Sequence, residues 1–343
     1  MFQLEFNILK QFTNLTLMKG NIMLKKMLRK SVLISAAMVI MLSVFVGETF
    51  AKNLKFALIV HVTGTPFWKP VKKGIEDAGK QLGVDVQFMG PEAFSIQKQV
   101  DTLDSAIAQG FDGIGVALAD PTAMDRSIAR ARKKGIPVIS FNVDDQNTPN
   151  ERMAFVGQSF IVAGNVLAEA VLKGEKVDTN ADALVLIGEP GNSALEERAE
   201  GIEQVLDKYG IKHSRFVAPL ANPTEGIDML KAKLRANKNI KYVLGTAFGG
   251  YYASKAMIEL GMEPGSVLIG AFDLEPNVNE MIQKGYLKIT IDQQPYLQGY
   301  QTVHMLYMNI MYGITPTSIN TGVAVIDKSN IDVAIKNVAA GYR

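Results

Sequence analysis

Residues 54–89 read LKFALIVHVTGTPFWKPVKKGIEDAGKQLGVDVQFM, and this stretch decides the fold class. Its first seven residues are apolar on both parities, as expected of a strand covered on both faces. From Phe67 to Leu82 apolar residues recur at helical spacing and the run stops at Gly83. Val84–Met89 then returns to strand character. A strand, a helix and a second strand in this order form a right-handed crossover between parallel neighbours.

Outward from that unit the pattern repeats. Helix Ile96–Gln109 precedes strand Gly113–Leu118, and helix Pro121–Lys134 precedes strand Pro137–Phe141. A second series follows helix Val166–Lys173. It alternates strand Ala183–Ile187, helix Ala194–Tyr209, strand Arg215–Val217, helix Glu225–Ala236 and strand Tyr242–Gly245. Helix Tyr251–Leu260, strand Val267–Ala271, helix Pro276–Lys284 and strand Lys288–Ile291 complete it. Two such series predict an α/β protein of two doubly wound parallel-sheet lobes. Thr65-Pro66 and Asp120-Pro121 read as helix caps, each followed by proline in the first turn. Ser193 with Glu196 reads as a capping box.

The whole chain has 343 residues and a formal charge of +2. Residues 1–51 carry six of the 36 basic residues and only two of the 34 acidic ones, so the remainder has a net charge of −2. A near-neutral body gives no footprint for nucleic acid. Basic Lys25, Lys26, Arg29 and Lys30 precede an apolar run from Val32 to Val46, and Thr49-Phe50-Ala51 follows, the order of a secretory signal peptide. The run is shorter than the ~20 residues needed to span a bilayer. The chain has no cysteine, which excludes disulfides, thiolate metal sites and a lipid anchor on cysteine. A periplasmic location without a lipid anchor is expected.

In open parallel sheets ligands bind beyond the carboxyl ends of the strands. The residues there include Thr65, Phe67 and Trp68 after the first strand, Asp120 after the third and Asn142 after the fourth. In the second series they include Phe248, Asp273 and Gln293, while Arg198 lies on the helix after the first strand. Gln158 completes the candidate set. Flat rings cover the C–H faces of a sugar, while Asp, Asn, Gln and Arg meet its hydroxyls. The blander readings are that Phe67 and Trp68 pack between the halves, that Asp120 and Asp273 cap helices, and that Arg198 lies on an ordinary surface.

At these residues the chain resembles the ribose/galactose-type periplasmic binding proteins, the substrate-capturing subunits of ABC sugar importers. The likeness runs from about Asn53 to Val325. It rests on residues 57–60 (ALIV), 65–68 (TPFW), 109–114 (QGFDGI), 135–142 (GIPVISFN), 193–201 (SALEERAEG), 270–273 (GAFD) and 291–295 (IDQQP). The resemblance implies lobes joined by three strand crossings, residues 53–156 with 294–322 and residues 157–293 with 323–343. It implies an aromatic pair at Phe67 and Trp68, hydroxyl ligands at Arg198, Asp273 and Gln293, a membrane permease as partner and a chemoreceptor as a further one. Asn142-Val143 replaces the family's usual Asp-Arg pair, Phe248-Gly249 its Asn-Asp step, and Thr65 a common asparagine. The site is therefore expected to be less polar than a ribose site, with an added aromatic. The implied cargo is a monosaccharide, the alternatives being a polyol or inositol, a nucleoside or a furanose-type signal.

An enzyme on this architecture would show other marks. Gly113-Ile-Gly115 lacks the third glycine of a dinucleotide loop and lies within a strand. There is no phosphate loop, and His61, His213 and His304 are far apart in sequence. No cofactor or metal is expected. A sugar-responsive repressor would need a DNA-binding head where this chain has a signal-like segment.

Overall fold

The computed structural model describes residues 53–145 and 149–343. The signal-like segment lies outside them. Residues 53–343 form one compact unit built on two six-stranded sheets. The first sheet has the order β11-β5-β4-β3-β1-β2 and the second β12-β10-β9-β8-β6-β7.

In the first sheet lie β1 (Lys55–Ile59), β2 (Asp85–Met89), β3 (Gly113–Val116), β4 (Val138–Phe141), β5 (Phe155–Gly157) and β11 (Ile319–Asn320). Around them pack α1 (Trp68–Leu82), α2 (Ile96–Gln109), α3 (Asp125–Lys133) and the long α9 (Pro295–Tyr312). The second sheet holds β6 (Asp182–Ile187), β7 (Lys212–Val217), β8 (Ile240–Gly245), β9 (Leu268–Phe272), β10 (Ile289–Asp292) and β12 (Ala324–Ile326). Its helices are α4 (Phe160–Leu172), α5 (Ser193–Lys208), α6 (Pro223–Ala236), α7 (Gly250–Glu259), α8 (Pro276–Lys284) and α10 (Ile331–Ala339).

The central strands are buried on both faces, β3 and β4 along their whole length. The edge strands β2 and β7 instead have no fully buried residue, only exposed and half-buried ones. Among the described residues every strand pairing is parallel except that of β12 with β10. The exception follows from the path: the chain leaves β11 at its carboxyl end and enters the second sheet from that same end. Its next strand must therefore run backwards.

Several helix starts differ from the sequence reading, most of all that of α4, which begins at Phe160 rather than Val166. Helix α1 begins at Trp68 with no side-chain cap, and Thr65 instead closes a turn through its carbonyl. Helix α3 begins at Asp125 rather than Pro121, because Asp120 Oδ1 accepts from the N–H groups of Thr122 and Ala123 and holds a separate turn. The capping box at α5 is displaced by one residue. Asn192 is the cap and accepts from Ala194 N–H, while Glu196 reaches back to Gly191 N–H.

The chain passes between the sheets three times: after β5, after β10 and between β11 and β12. Glutamine side chains bind these passages together. Gln158 Nε2 donates to the Gly322 carbonyl at 3.1 Å, and Gln294 Nε2 to the Thr321 carbonyl at 2.6 Å. Thr321 Oγ1 donates to the Gln293 carbonyl at 2.8 Å. Across the other side of the cleft, Ser193 N–H donates to the Ala119 carbonyl at 3.3 Å, and Ala194 packs into the first sheet's core. The two halves thus touch on both sides of the space between them.

Candidate functional site

That space is a cavity with about 560 Å³ of empty volume at the carboxyl ends of both sheets. Thr65, Phe67, Trp68 and Asn142 line it from the first half, and Arg198, Phe248, Asp273 and Gln293 from the second half and the passage after β10. Leu220 and Ala247 add an apolar floor.

Backbone geometry aims two of the polar groups. Asn142 and Asp273 each follow a strand directly and adopt left-handed conformations, with φ of 63° and 73°. That conformation turns the chain sharply out of the sheet and is costly for most side chains but tolerated by Asn and Asp. The Asp273 N–H is fixed by the Ile291 carbonyl at 2.9 Å, and its carbonyl by Thr290 Oγ1 at 2.8 Å. Such strain persists only where the surroundings hold it, and it clusters at ligand sites.

The polar side chains form a chain across the cavity. Asn142 Nδ2 donates to Gln298 Oε1 at 2.8 Å and to Gln293 Oε1 at 3.4 Å. Gln293 Nε2 donates to Asp273 Oδ1 at 2.6 Å. Arg198 is 3% exposed and is held by the Thr246 carbonyl at 3.0 Å and Gln158 Oε1 at 2.9 Å. Its guanidinium carbon lies 4.0 Å from the centre of the Phe272 ring, a cation–π contact. Arg198 Nε is buried with no hydrogen-bond partner. Arg198 also lines the cavity, so this unspent donor belongs to a lining side chain. Burial pulls the guanidinium down to about 10, still well above neutrality, and the charge of Asp273 works against the shift. The Asp273 carboxyl is raised by burial, while Arg198 and the Gln293 hydrogen bond oppose that rise.

The aromatic wall is equally well fixed. Trp68 is 2% exposed and meets Phe67 edge-on at 4.9 Å, with His61 and Phe141 also edge-on behind it. His61 is buried and driven down to about 4 by desolvation, so it is a neutral ring at physiological pH. The Trp68 indole N–H has no partner among the described residues.

Eight of the ten sequence candidates therefore line one cavity. Gln158 stands behind Arg198 and orients it. Asp120 does not line the cavity: both N–H groups it holds belong to its own turn. Sequence reasoning passed over Gln298, which anchors Asn142, because it lies in the first turn of α9 and follows no strand. Glu189 and Asn192 also line the cavity. The Glu189 carboxyl is raised by burial and accepts from Asn192 Nδ2 at 3.0 Å. Both lie in the stretch after β6, which the strand-end rule reaches without singling them out.

Comparison with known proteins agrees with this geometry. The model of the periplasmic binding protein domain matches residues 56–313, three quarters of the chain. The chain belongs to the periplasmic binding proteins. A curated relative, the xylose/arabinose-binding protein XylF of Sulfolobus acidocaldarius, is 30% identical over 295 residues, covering 81% of this chain and 72% of its own. A solute-binding protein of an ABC transporter from Burkholderia graminis, solved with D-arabinose, is 28% identical with a TM-score of 0.76, covering 83% of this chain and 98% of that one. A carbohydrate transporter protein from Acidothermus cellulolyticus, solved with myo-inositol, is 28% identical with a TM-score of 0.76, covering 85% of this chain and all of that one. Periplasmic binding proteins capture substrates. The two-sheet architecture of this chain is theirs.

Proposed function

We propose that this protein captures a monosaccharide, a pentose or hexose, between its lobes and delivers it to the permease of an ABC transporter. The observation that carries the reading is the convergence of an aromatic wall, Phe67 and Trp68, with Arg198, Asp273, Asn142 and Gln293 on one cavity. Rings take the C–H faces; the polar side chains, already fixed by one another, take the hydroxyls. A site whose buried polar groups are left unpaired by the wrong ligand rejects it strongly. Relatives named for xylose and arabinose, or solved with D-arabinose, support a pentose.

The lobes of this reading are residues 53–156 with 294–322 and residues 157–293 with 323–343. They open and close about the three glutamine-linked passages, and ligand favours the closed arrangement because only there do both lobes reach it. Release of residues 1–51 places the protein outside the inner membrane, where it meets the permease. A chemoreceptor is a second partner for the closed form. No step of this cycle makes or breaks a covalent bond.

A cyclic polyol is the second reading. Val143 leaves that corner of the cavity uncharged, and a structural relative was solved with myo-inositol.

A thermal-shift screen of the protein against pentoses, hexoses, inositols and nucleosides tests the proposal, with Trp68 fluorescence recorded alongside. Stabilisation that grows with pentose or hexose concentration is expected. Stabilisation by nucleosides alone, or by nothing in the panel, would overturn it.

A further inference from the structure

The aromatic wall of the cavity is not wholly apolar. His61 follows β1 by two residues and lines the cavity together with Trp68. It is 5% exposed, and its Nδ1 has no hydrogen-bond partner among the described residues. The Trp68 indole N–H is in the same condition. The His61 ring is held between two others, edge-on to Trp68 at 6.0 Å and to Phe94 at 5.5 Å. Its backbone is tied down as well: the His61 carbonyl accepts from Ser95 N–H at 3.1 Å, and Thr63 N–H donates to the Pro91 carbonyl at 2.7 Å. The segment after β2 thereby fixes the position of the ring.

Packing alone does not account for a histidine at this place. A phenylalanine would make the same edge contacts with Trp68 and Phe94 without burying an unpaired ring nitrogen, a cost that an apolar ring avoids. Buried polar atoms of native proteins are nearly always paired, by protein, by water or by ligand. Desolvation keeps the His61 ring neutral, so one of its nitrogens donates and the other accepts. A neutral imidazole and an indole N–H on one wall match a hydroxyl, which donates and accepts at once.

Resting on the reading of the cavity as a sugar site, we propose that His61 is a specificity-determining residue whose imidazole hydrogen-bonds one hydroxyl of the bound monosaccharide. The Asn142 amide, also from the first half, already donates to Gln298 and Gln293, whereas His61 Nδ1 is unpaired. A sugar lacking the matching hydroxyl leaves the imidazole buried without a partner, and a site of this kind rejects such a ligand strongly. The wall thus reads the polarity of one position on the sugar as well as covering its C–H face.

Titration calorimetry of the protein and of His61→Phe with D-xylose, L-arabinose, D-glucose and D-galactose, and with the monodeoxy analogues of each sugar that binds, tests the assignment. His61→Phe keeps a ring between Trp68 and Phe94 and removes the nitrogens. At one deoxy position the protein should lose about three- to tenfold in affinity relative to the parent sugar, the effect of roughly one hydrogen bond. In His61→Phe that penalty should shrink to within about twofold, while the penalties at the other positions stay as they were. A purely structural role would weaken the parent sugar and its analogues alike. Nitrogen-15 NMR of the histidine-labelled protein adds a readout that does not depend on the folding of the variant. The chain has three histidines, and His213 and His304 do not line the cavity. Saturating sugar should move the His61 ring-nitrogen resonances and leave those of His213 and His304 in place, and the analogue without the critical hydroxyl should move none. Sugar binding with every deoxy penalty unchanged in His61→Phe, or with the His61 nitrogens unmoved, would overturn this role and leave the proposed function standing. Failure of all sugars to bind would overturn the proposed function and the role with it.

Discussion

At the scale of single residues, Arg198 and Asp273 are the pair on which recognition depends. Arg198 brings positive charge and an unspent Nε donor, and Asp273 brings the opposing charge in a conformation held by Ile291 and Thr290. Arg198→Ala and Asp273→Ala are each expected to abolish sugar binding in calorimetry, with the circular-dichroism spectrum unchanged. Arg198→Ala should also cost about 1–3 kcal/mol in denaturant unfolding, because the buried Gln158 Oε1 and Thr246 carbonyl lose their donor. Near-native affinity in both variants would refute the site.

Burial of acidic groups gives the residue scale a pH signature. Glu275 and Glu197 are pushed up to about 7, chiefly by desolvation. A carboxyl raised in the folded chain binds its proton more tightly there, so its stabilising contribution is complete below about 4.5 and is lost as pH rises through about 7. His61, driven down to about 4, acts oppositely, chiefly as pH falls below its ordinary 6.5. Between pH 6.5 and 8 the two carboxyls outweigh His61 and the likewise lowered His304, whose opposing contribution fades as their unfolded forms lose the last of their charge above 6.5. The melting temperature should therefore fall across that window, and Glu275→Gln should flatten the fall. A rise across it in the unmodified protein would contradict the burial account.

Eight of the cavity's lining residues were legible in the sequence because parallel sheets deliver ligands to strand ends, and Asn142, Asp273 and Gln293 each follow a strand directly. Asp120 satisfies the same rule, yet its carboxylate is engaged by Thr122 and Ala123. A strand-end aspartate can cap its own turn or face a ligand, and its sequence position is the same in both cases. Gln298 illustrates the reverse difficulty, since its role arises only when α9 is folded back on β4.

At the scale of elements, each half depends on one pair of helices that approach closely through facing glycines. In the first half a side chain at Gly74 of α1 would strike the Tyr296 carbonyl, and one at Gly299 of α9 the Val71 carbonyl. In the second, Gly164 of α4 faces the Arg198 carbonyl and Gly201 of α5 the Ile161 carbonyl. An added methyl must push backbone from backbone, so Gly299→Ala and Gly164→Ala should each cost roughly 1–3 kcal/mol in denaturant unfolding. Their effects on binding should differ. Gly164→Ala displaces α5 at the turn that carries Arg198 and should weaken sugar affinity, whereas Gly299→Ala should alter it less. Equal affinities in the two variants would separate helix packing from the site.

Helix α9 also shows where periodicity fails as a guide. Its sequence, PYLQGYQTVHMLYMNIMY, has apolar residues on every face, although only one face packs inward, through residues such as Gln298, Thr302, Val303 and Leu306. Tyrosines and methionines cover the outer faces, so no amphipathic stripe is visible. The short strands β5, β11 and β12 are two or three residues long and too brief for any periodic signal. The repeated strand–helix series before Asp292 had less difficulty, because its central strands are buried on both faces and α1, α2 and α8 stop at left-handed glycines.

At the scale of the whole molecule, three passages joined by Gln158, Gln293, Gln294 and Gln298 connect the binding residues to the relation between lobes. Gln158 is bonded both to Arg198 and to the Gly322 carbonyl, so ligand contact and passage geometry share a side chain. Small-angle scattering should show a smaller radius of gyration with saturating sugar than without it. Gln158→Leu should weaken binding in calorimetry, because Arg198 loses the acceptor that orients it and the Gly322 carbonyl loses its donor.

The central claim is that Arg198 and Asp273 hold a sugar in the cavity between the sheets. Titration calorimetry of the protein and of Asp273→Ala with D-xylose, L-arabinose, D-glucose and D-galactose tests it most directly. Saturable one-site binding of at least one of these sugars to the protein, absent in Asp273→Ala, is the predicted result. Binding that survives in Asp273→Ala, or no binding of any sugar by the folded protein, would contradict it.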